Sequence, residues 1–202
     1  MGVLERRARQ KEGIREEILE AARTLFVKEG YESTSIRKIA EKIEYAPGTI
    51  YLYFRDKSEI LDRICEETFS RLAQKLAAIN RDQAAPLDCL RRGLRTYIQF
   101  ALDNPNHYII TFVQAPGEVK SGESIRCEAG ARCFNNLRQT VERCILAGLL
   151  NCTDVDEVAQ ALWAGIHGLS SLLVTRTGFP FVEQNRLIDR VVEIQIEGIR
   201  AR

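Results

Sequence analysis

Side chains suited to binding phosphate are concentrated between residues 34 and 57. Three hydroxyl residues alternate within one predicted helix, and a lysine opens the next. Gly48 lets another backbone approach closely, and the free N–H groups at a helix start bind phosphate. The donors are Thr34, Ser35, Gly48, Thr49, Tyr51, Tyr53 and Lys57, with Tyr45, Ala46 and Pro47 completing the candidate surface. Two short helices carrying such donors favour contact with phosphates on both sides of a DNA major groove.

Each of these donors also has a structural interpretation. Tyr51 and Tyr53 could cover an interdomain seam, and Thr49 could be an ordinary surface residue. Lys57 could be a plain first-turn cation, but a cation at a helix N-terminus is unfavourable without an anion nearby. We therefore favour phosphate contact for Lys57.

Four predicted helices position these donors. Apolar residues at helical spacing predict a first helix that ends at Gly30 and a second, short helix over 36–43 capped by residue 33, 34 or 35. Pro47 suits the first position of a third helix, 47–54, and Asp56 can cap a fourth, 57–79. A short helix, a tight turn and another short helix form a helix-turn-helix arrangement.

Helical spacing continues through the rest of the chain. Further helices are predicted over 87–104, 107–112, 124–150, 155–176 and 182–200, with a loop over 114–123. No stretch alternates convincingly with a period of two. The sequence thus predicts an all-α protein of about nine helices.

Composition excludes several protein classes. The chain has 202 residues, 45% hydrophobic and 28% charged, with 13 Gly and 5 Pro, so neither disorder nor collagen fits. No apolar run approaches the roughly 20 residues that span a bilayer, and no secretory signal is visible, so we expect a cytoplasmic protein without membrane contact. Residues 1–57 hold 12 Lys/Arg and 10 Asp/Glu, a bias too small to establish nucleic-acid binding.

Residues for catalysis or metal binding are sparse. The chain has two histidines and six separated cysteines without a C-x-x-C pair, so we predict no metal site and no cofactor. Neither a Gly-rich phosphate loop nor a nucleophile with defensible histidine spacing is present, so we predict no enzyme. The cysteines fit a reduced core, and oxidation at Cys127, Cys133 or Cys144 remains an alternative mode of control.

The first 65 residues resemble the TetR family of bacterial transcriptional regulators. The resemblance rests on residues 30–31 (GY), 34–40 (TSIRKIA), 48–54 (GTIYLYF) and 57–61 (KSEIL). It implies a DNA-binding domain at 1–58, with its motif at about 35–54, and an effector-binding and dimerisation domain at 59–202. It also implies a homodimer, a palindromic double-stranded operator, usually repression, and release by a small effector. A DNA-binding factor without a small effector, controlled by a protein partner or by thiol oxidation, is the alternative.

The motif departs from the family pattern at three positions. Glu44 replaces the usual turn Gly, which costs on the order of 1 kcal/mol if that backbone is left-handed. Ala46 replaces a Ser or Thr cap and forfeits about 1 kcal/mol. Pro47 stands where Lys is frequent and removes a contact to phosphate or base. Base specificity therefore cannot be transferred from relatives.

The second half of the chain holds two candidate surfaces. Aromatic residues could line a pocket for a largely apolar effector, or simply fill a core. These are Tyr97, Phe100, His107, Tyr108, Phe112, Phe134, Trp163 and His167. The W-x-x-x-H-G pattern at 163–168 also resembles one C-terminal subgroup of the family. Small and apolar residues on the last two helices predict a four-helix dimer interface. These are Gly165, Gly168, Ile188, Val191, Val192, Gln195 and Ile199.

Overall fold

The chain is all-α, as predicted. The structure is a computed structural model that describes residues 2–113 and 125–201, so the predicted loop at 114–123 lies outside the described residues. The helices are α1 (Val3–Glu29), α2 (Ile36–Lys42), α3 (Pro47–Tyr51), α4 (Lys57–Asn80), α5 (Pro86–Asp103), α6 (Pro105–Tyr108), α7 (Ile125–Leu146), α8 (Val155–Thr175) and α9 (Gln184–Ile199). A π-helical turn, Ile109–Val113, follows α6. In the described ranges there is no strand beyond one isolated bridge between Leu150 and Arg200.

Contacts divide the chain into two compact units. The first comprises Met1–Glu67 and Asn106–Arg126, and the second comprises Thr68–Pro105 and Cys127–Arg202. The division falls inside α4, nine residues after the boundary predicted at 58. Residues 106–113, which lie far along the sequence, pack with the helix-turn-helix because the π-helical turn contacts α1.

The first unit is built on one face of α1. Ile18, Ala22 and Phe26 are buried on that face, and Ile39 and Ile50 bring α2 and α3 into the same core. Arg23 is buried as well, and its guanidinium donates to Glu67 at 2.6 Å and to Glu20 at 3.0 Å. The apolar periodicity of the sequence thus found the core of this unit correctly.

Helices α2 and α7 end in the same way. Glu44 N–H donates to Glu41 O at 3.2 Å and Tyr45 N–H donates to Ala40 O at 3.0 Å, while Glu44 has φ 60°. This is a Schellman motif, which needs a left-handed residue after the helix. The equivalent residue after α7 is Gly148, with φ 68°. Helix α7 therefore ends at Leu146, four residues before the predicted end.

The second unit packs α5, α8 and α9 together. Arg91 of α5 makes a two-pronged ion pair with Glu193 of α9, at 2.5 and 3.1 Å, and Arg95 pairs with Asp189. The end of α4 is tied to α7, because Arg143 donates to Asn80 O at 3.1 Å and Asn80 Nδ2 donates to Asn136 O at 2.8 Å.

In the described part of the chain, α8 is long and apolar enough to cross a membrane. Its mean hydropathy reaches 1.3 over 18 residues, a third of which are buried. Core helices of helical bundles meet the same test, and α8 packs on α5 and α9. Its remaining apolar surface faces outward.

Candidate nucleic-acid interface

Helix α3 is short and is anchored from one side. Ala46 precedes it without a side-chain cap, Pro47 occupies its first turn, and the α-helix ends at Tyr51 instead of Phe54. Ile50 and Phe54 are 0% and 1% exposed, so they hold the segment on the core. The missing cap expected at Ala46 is confirmed. The helix is short because residues 52 and 53 turn towards α4.

The opposite side of α3 is open. Tyr45, Tyr51 and Leu52 are 37%, 57% and 76% exposed, and Ala46 and Pro47 are exposed as well. A Cβ at Gly48 would meet no protein atom within 4 Å. Thr49 and Tyr53 are half-buried. The N-terminal N–H groups of α3 and the Tyr51 hydroxyl therefore share an accessible surface. Leu52, the most exposed of these residues, was not predicted from sequence.

The N-terminus of α2 offers one of the two predicted hydroxyls. Ser35 caps the helix, since its Oγ accepts from Lys38 N–H at 3.3 Å, and its side chain is exposed. Thr34 is 2% exposed, and its hydroxyl donates to Gly30 O at 2.8 Å. The predicted phosphate contact from Thr34 is therefore not available in this conformation.

Lys57 also turns inward. Its ammonium donates to Tyr31 O at 2.6 Å and to Thr34 O at 2.8 Å, and it lies 4.1 Å from the centre of the Tyr31 ring. Lys57 thereby joins the start of α4 to the connection between α1 and α2. This corrects the prediction that it contacts phosphate: it is a positioning residue for the N-terminus of α2.

Exposed cations surround the motif at positions that sequence reasoning did not select. Arg37 and Lys42 of α2 are exposed, and the Arg55 side chain is 86% exposed although its Nε donates to Glu59 at 3.1 Å. Lys38 pairs with Glu29 at 2.7 Å. The signal available in the sequence was the set of basic residues that do not fall on the buried stripe of their helix.

In the second unit, four of the predicted pocket residues come together. Trp163 Nε1–H donates to the Tyr97 oxygen at 3.4 Å, and the Tyr97 hydroxyl lies 3.0 Å from His167 Nδ1. Phe134 meets Trp163 edge to face at 6.0 Å. Burial lowers the pKa of His167 from its ordinary value of 6.5. A neutral imidazole with Nδ1 accepting from Tyr97 fits this arrangement.

The other four residues do not join this cluster. Phe100 is buried in the core around α5. His107, Tyr108 and Phe112 belong to the first unit, where Tyr108 is 1% exposed and stacks on Phe112 at 4.9 Å. A polar groove in the second unit, lined by Asn135, Arg138, Gln139, Glu142 and Val155, involves none of the predicted residues.

The predicted dimer residues divide into buried and accessible ones. Ile188 and Val192 are 2% and 1% exposed, because they pack inside the second unit, so the structure does not place them on an interface. Gly165 approaches Gln195 of the same chain, where a Cβ would lie 2.1 Å from Nε2, and Gln195 Nε2 donates to Leu162 O at 3.1 Å. Gly168 faces open space.

Accessible apolar residues lie on the outer side of α8 and α9. Val191 and Ile199 are half-buried, and Leu172 and Ile194 are 49% and 62% exposed. Leu172 and Ile194 were missed by the sequence analysis because periodicity alone does not separate one apolar face of a helix from the other.

Two of the three cysteines named for redox control are poor candidates. Burial raises the pKa of Cys133 to about 12 and that of Cys144 to about 11. Since the thiolate is the form that reacts with oxidants, both thiols are held in their unreactive form. The side chain of Cys127 lies outside the described residues.

Comparison with known proteins gives a consistent result. Residues 18–64 match the model described as bacterial regulatory proteins, tetR family, and residues 90–197 match a tetracyclin repressor-like C-terminal domain. The transcriptional regulator TtgR of Pseudomonas putida is 28% identical over 169 residues, 77% of each chain. The regulator SAB2452 of Staphylococcus aureus is 29% identical over 90 residues, and this match covers 45% of the present chain and only about half (49%) of that protein.

Solved structures share the fold. A regulatory protein in the tetR family from Rhodococcus RHA1 superimposes with a TM-score of 0.79 at 20% identity, covering 92% of this chain and 97% of that one. FadR from Bacillus subtilis, solved in complex with stearoyl-CoA, has a TM-score of 0.78 at 22% identity, covering 91% and 98%.

Proposed function

The chain belongs to the TetR family of bacterial transcriptional regulators, and on that premise we propose that it is a homodimeric repressor released from a palindromic operator by a small, largely apolar effector. The open side of α3 carries this proposal. An anchored helix whose N-terminal N–H groups and aromatic hydroxyl are accessible suits insertion into a major groove.

The proposed DNA contacts come from both short helices. Ser35 and the N-terminus of α2 hold a phosphate on one side of the groove, and the start of α3 holds the other. The contact set is Ser35, Tyr45, Ala46, Pro47, Gly48, Thr49, Tyr51 and Tyr53. Thr34 and Lys57 support this surface from inside, since their polar groups are bonded to backbone carbonyls.

The proposed dimer uses the outer side of α8 and α9. Leu172 and Ile194 are exposed apolar residues, and Gly168 leaves space into which a second subunit fits. Gly165, Val191, Gln195 and Ile199 border this face. A two-fold axis there would pair the two α3 helices with a palindromic operator.

The proposed effector site centres on the Tyr97–His167–Trp163 cluster. Aromatic surface beside a hydrogen-bonding hydroxyl and imidazole suits a ligand with an apolar body and a polar group. FadR of Bacillus subtilis was solved with stearoyl-CoA, a ligand that has a long apolar chain. We carry over to this chain only the apolar character. Control by thiol oxidation is less favoured, because Cys133 and Cys144 are buried and protonated.

The test begins with selection of duplexes from a random pool by the full-length protein at fixed salt, followed by titration of the selected site by fluorescence anisotropy. We expect a palindrome bound at least about a thousandfold more tightly than random duplex. A preference below about tenfold would contradict sequence-specific regulation.

The effector is tested on that same duplex. Small molecules extracted from the purified protein, and a series of fatty acids and acyl-CoA thioesters, are added at fixed DNA occupancy. Release of DNA by an apolar compound, with a weaker response in Trp163→Ala, supports the effector proposal. Release by a protein partner or an oxidant alone would favour the alternative.

A further inference from the structure

The first three turns of α1, residues 3–13, project from the core and are called the arm here. Every described side chain from Gly2 to Gly13 is exposed, and the first buried residue of the helix is Ile18. A helix segment of this length without packing is marginal in water. The matched family model begins at residue 18, so the arm lies outside it.

Charge is unevenly distributed around the arm. Arg7 and Lys11 are spaced four residues apart, and the same stripe continues through Arg15 to Ile18 and Ala22, which face the core. Glu5, Glu12 and Glu16 lie roughly 100–140° around the helix axis from Lys11, given 3.6 residues per turn. The side that is apolar in the packed part of α1 is therefore basic in the arm.

This basic side lies next to α3. The Arg15 guanidinium stacks over the Phe54 ring at 4.9 Å, and Phe54 closes the segment that α3 begins. With a rise of 1.5 Å per residue, Lys11 lies about 6 Å and Arg7 about 12 Å further along the axis. Both cations thus extend the surface proposed to contact DNA.

We propose that Arg7 and Lys11 bind backbone phosphates of the DNA that flanks the half-site read by α3. This inference rests on the proposed DNA binding. In the part of the chain that the structure describes, no ion pair involves Arg7 or Lys11. Cations in the first turns of a helix oppose its dipole, and a polyanion on that side removes the conflict.

The test compares two double variants of equal charge. Arg7→Ala/Lys11→Ala removes the basic side, and Arg6→Ala/Arg9→Ala removes two cations from elsewhere on the arm. Because Ala favours helix, both should fold, which thermal unfolding verifies. On the selected duplex we expect the slope of log affinity against log salt to fall by about 1.8 in the first variant, since each phosphate contact contributes about 0.9. The second variant should change the slope much less.

Duplex length supplies a second readout. Trimming the flanks of the selected duplex should weaken wild-type binding and leave Arg7→Ala/Lys11→Ala unaffected. Equal slope losses in the two variants, or equal responses to trimming, would overturn the inference while leaving the proposed function intact. A wild type that selects no duplex overturns both.

Discussion

Glu44 illustrates how one residue departs from its backbone. It occupies the left-handed position of the Schellman motif after α2, with φ 60°, where Gly148 serves after α7. We expect Glu44→Gly to raise the free energy of unfolding by roughly 0.5–1 kcal/mol in urea denaturation, because Gly carries no Cβ penalty there. Glu41→Gly, in the ordinary helical backbone of α2, is the control and should lower it by about 1 kcal/mol. A destabilising Glu44→Gly would show that its side chain makes a compensating contact.

Lys57 is predicted to act on the fold of the motif and only indirectly on DNA. Lys57→Met keeps the aliphatic stem and removes the ammonium that binds Tyr31 O and Thr34 O. We expect the free energy of unfolding to fall by about 1–3 kcal/mol, because buried carbonyls lose a charged donor. The salt slope of DNA binding should stay unchanged. A slope reduced by about 0.9 at unaltered stability would restore the phosphate contact.

His167 makes stability depend on pH in a defined direction. Its pKa is lowered in the folded chain, so between that value and 6.5 the unfolded chain binds a proton that the folded chain does not. The stability that His167 contributes is therefore complete above pH 6.5 and declines as the pH falls. His167→Asn, which retains an acceptor in place of Nδ1, should lose this dependence, while His107 remains in both proteins. Denaturation at about pH 7.5 and about pH 5.5 measures the difference, and equal slopes would reject it.

At the scale of elements, the close approach of α8 and α9 depends on Gly165. Gly165→Ala adds helix propensity of about 1 kcal/mol but displaces the Gln195 amide from Leu162 O, a hydrogen bond of similar value. We expect little net change in the wild type and stabilisation of about 1 kcal/mol in a Gln195→Ala background. The double-mutant cycle in urea denaturation should therefore give a coupling near 1 kcal/mol, that is, about the value of the lost hydrogen bond. Additivity would mean that Gln195 relaxes without loss.

At the scale of the whole molecule, the outer side of α8 and α9 is predicted to hold the dimer together. Ile194→Asp should raise the dimer dissociation constant at least about a hundredfold in sedimentation equilibrium, since it would bury an unpaired carboxylate. Leu146→Asp, at an equally exposed apolar residue outside this face, should remain dimeric. The opposite pattern would relocate the interface. Loss of operator affinity should accompany dissociation, because one subunit reads only half a palindrome.

The sequence alone determined the helices, the helix-turn-helix and the family. These depend on local properties: apolar spacing places Ile50 and Phe54 on the core, Asp56 caps α4, and a motif over 34–61 is read without knowing the fold. Even the strained turn at Glu44 and the uncapped start at Ala46 were visible, because helix ends obey rules a few residues long.

Tertiary structure alone decided what each polar group does. Thr34 and Lys57 look like phosphate donors in sequence, and carbonyls distant from Lys57 along the chain take its protons. Periodicity marks Ile188 and Ile194 alike as apolar, and only packing buries the first and exposes the second. Hydrogen-bond partners and burial depend on residues far apart in sequence, such as Tyr97 and His167, so no local pattern specifies them.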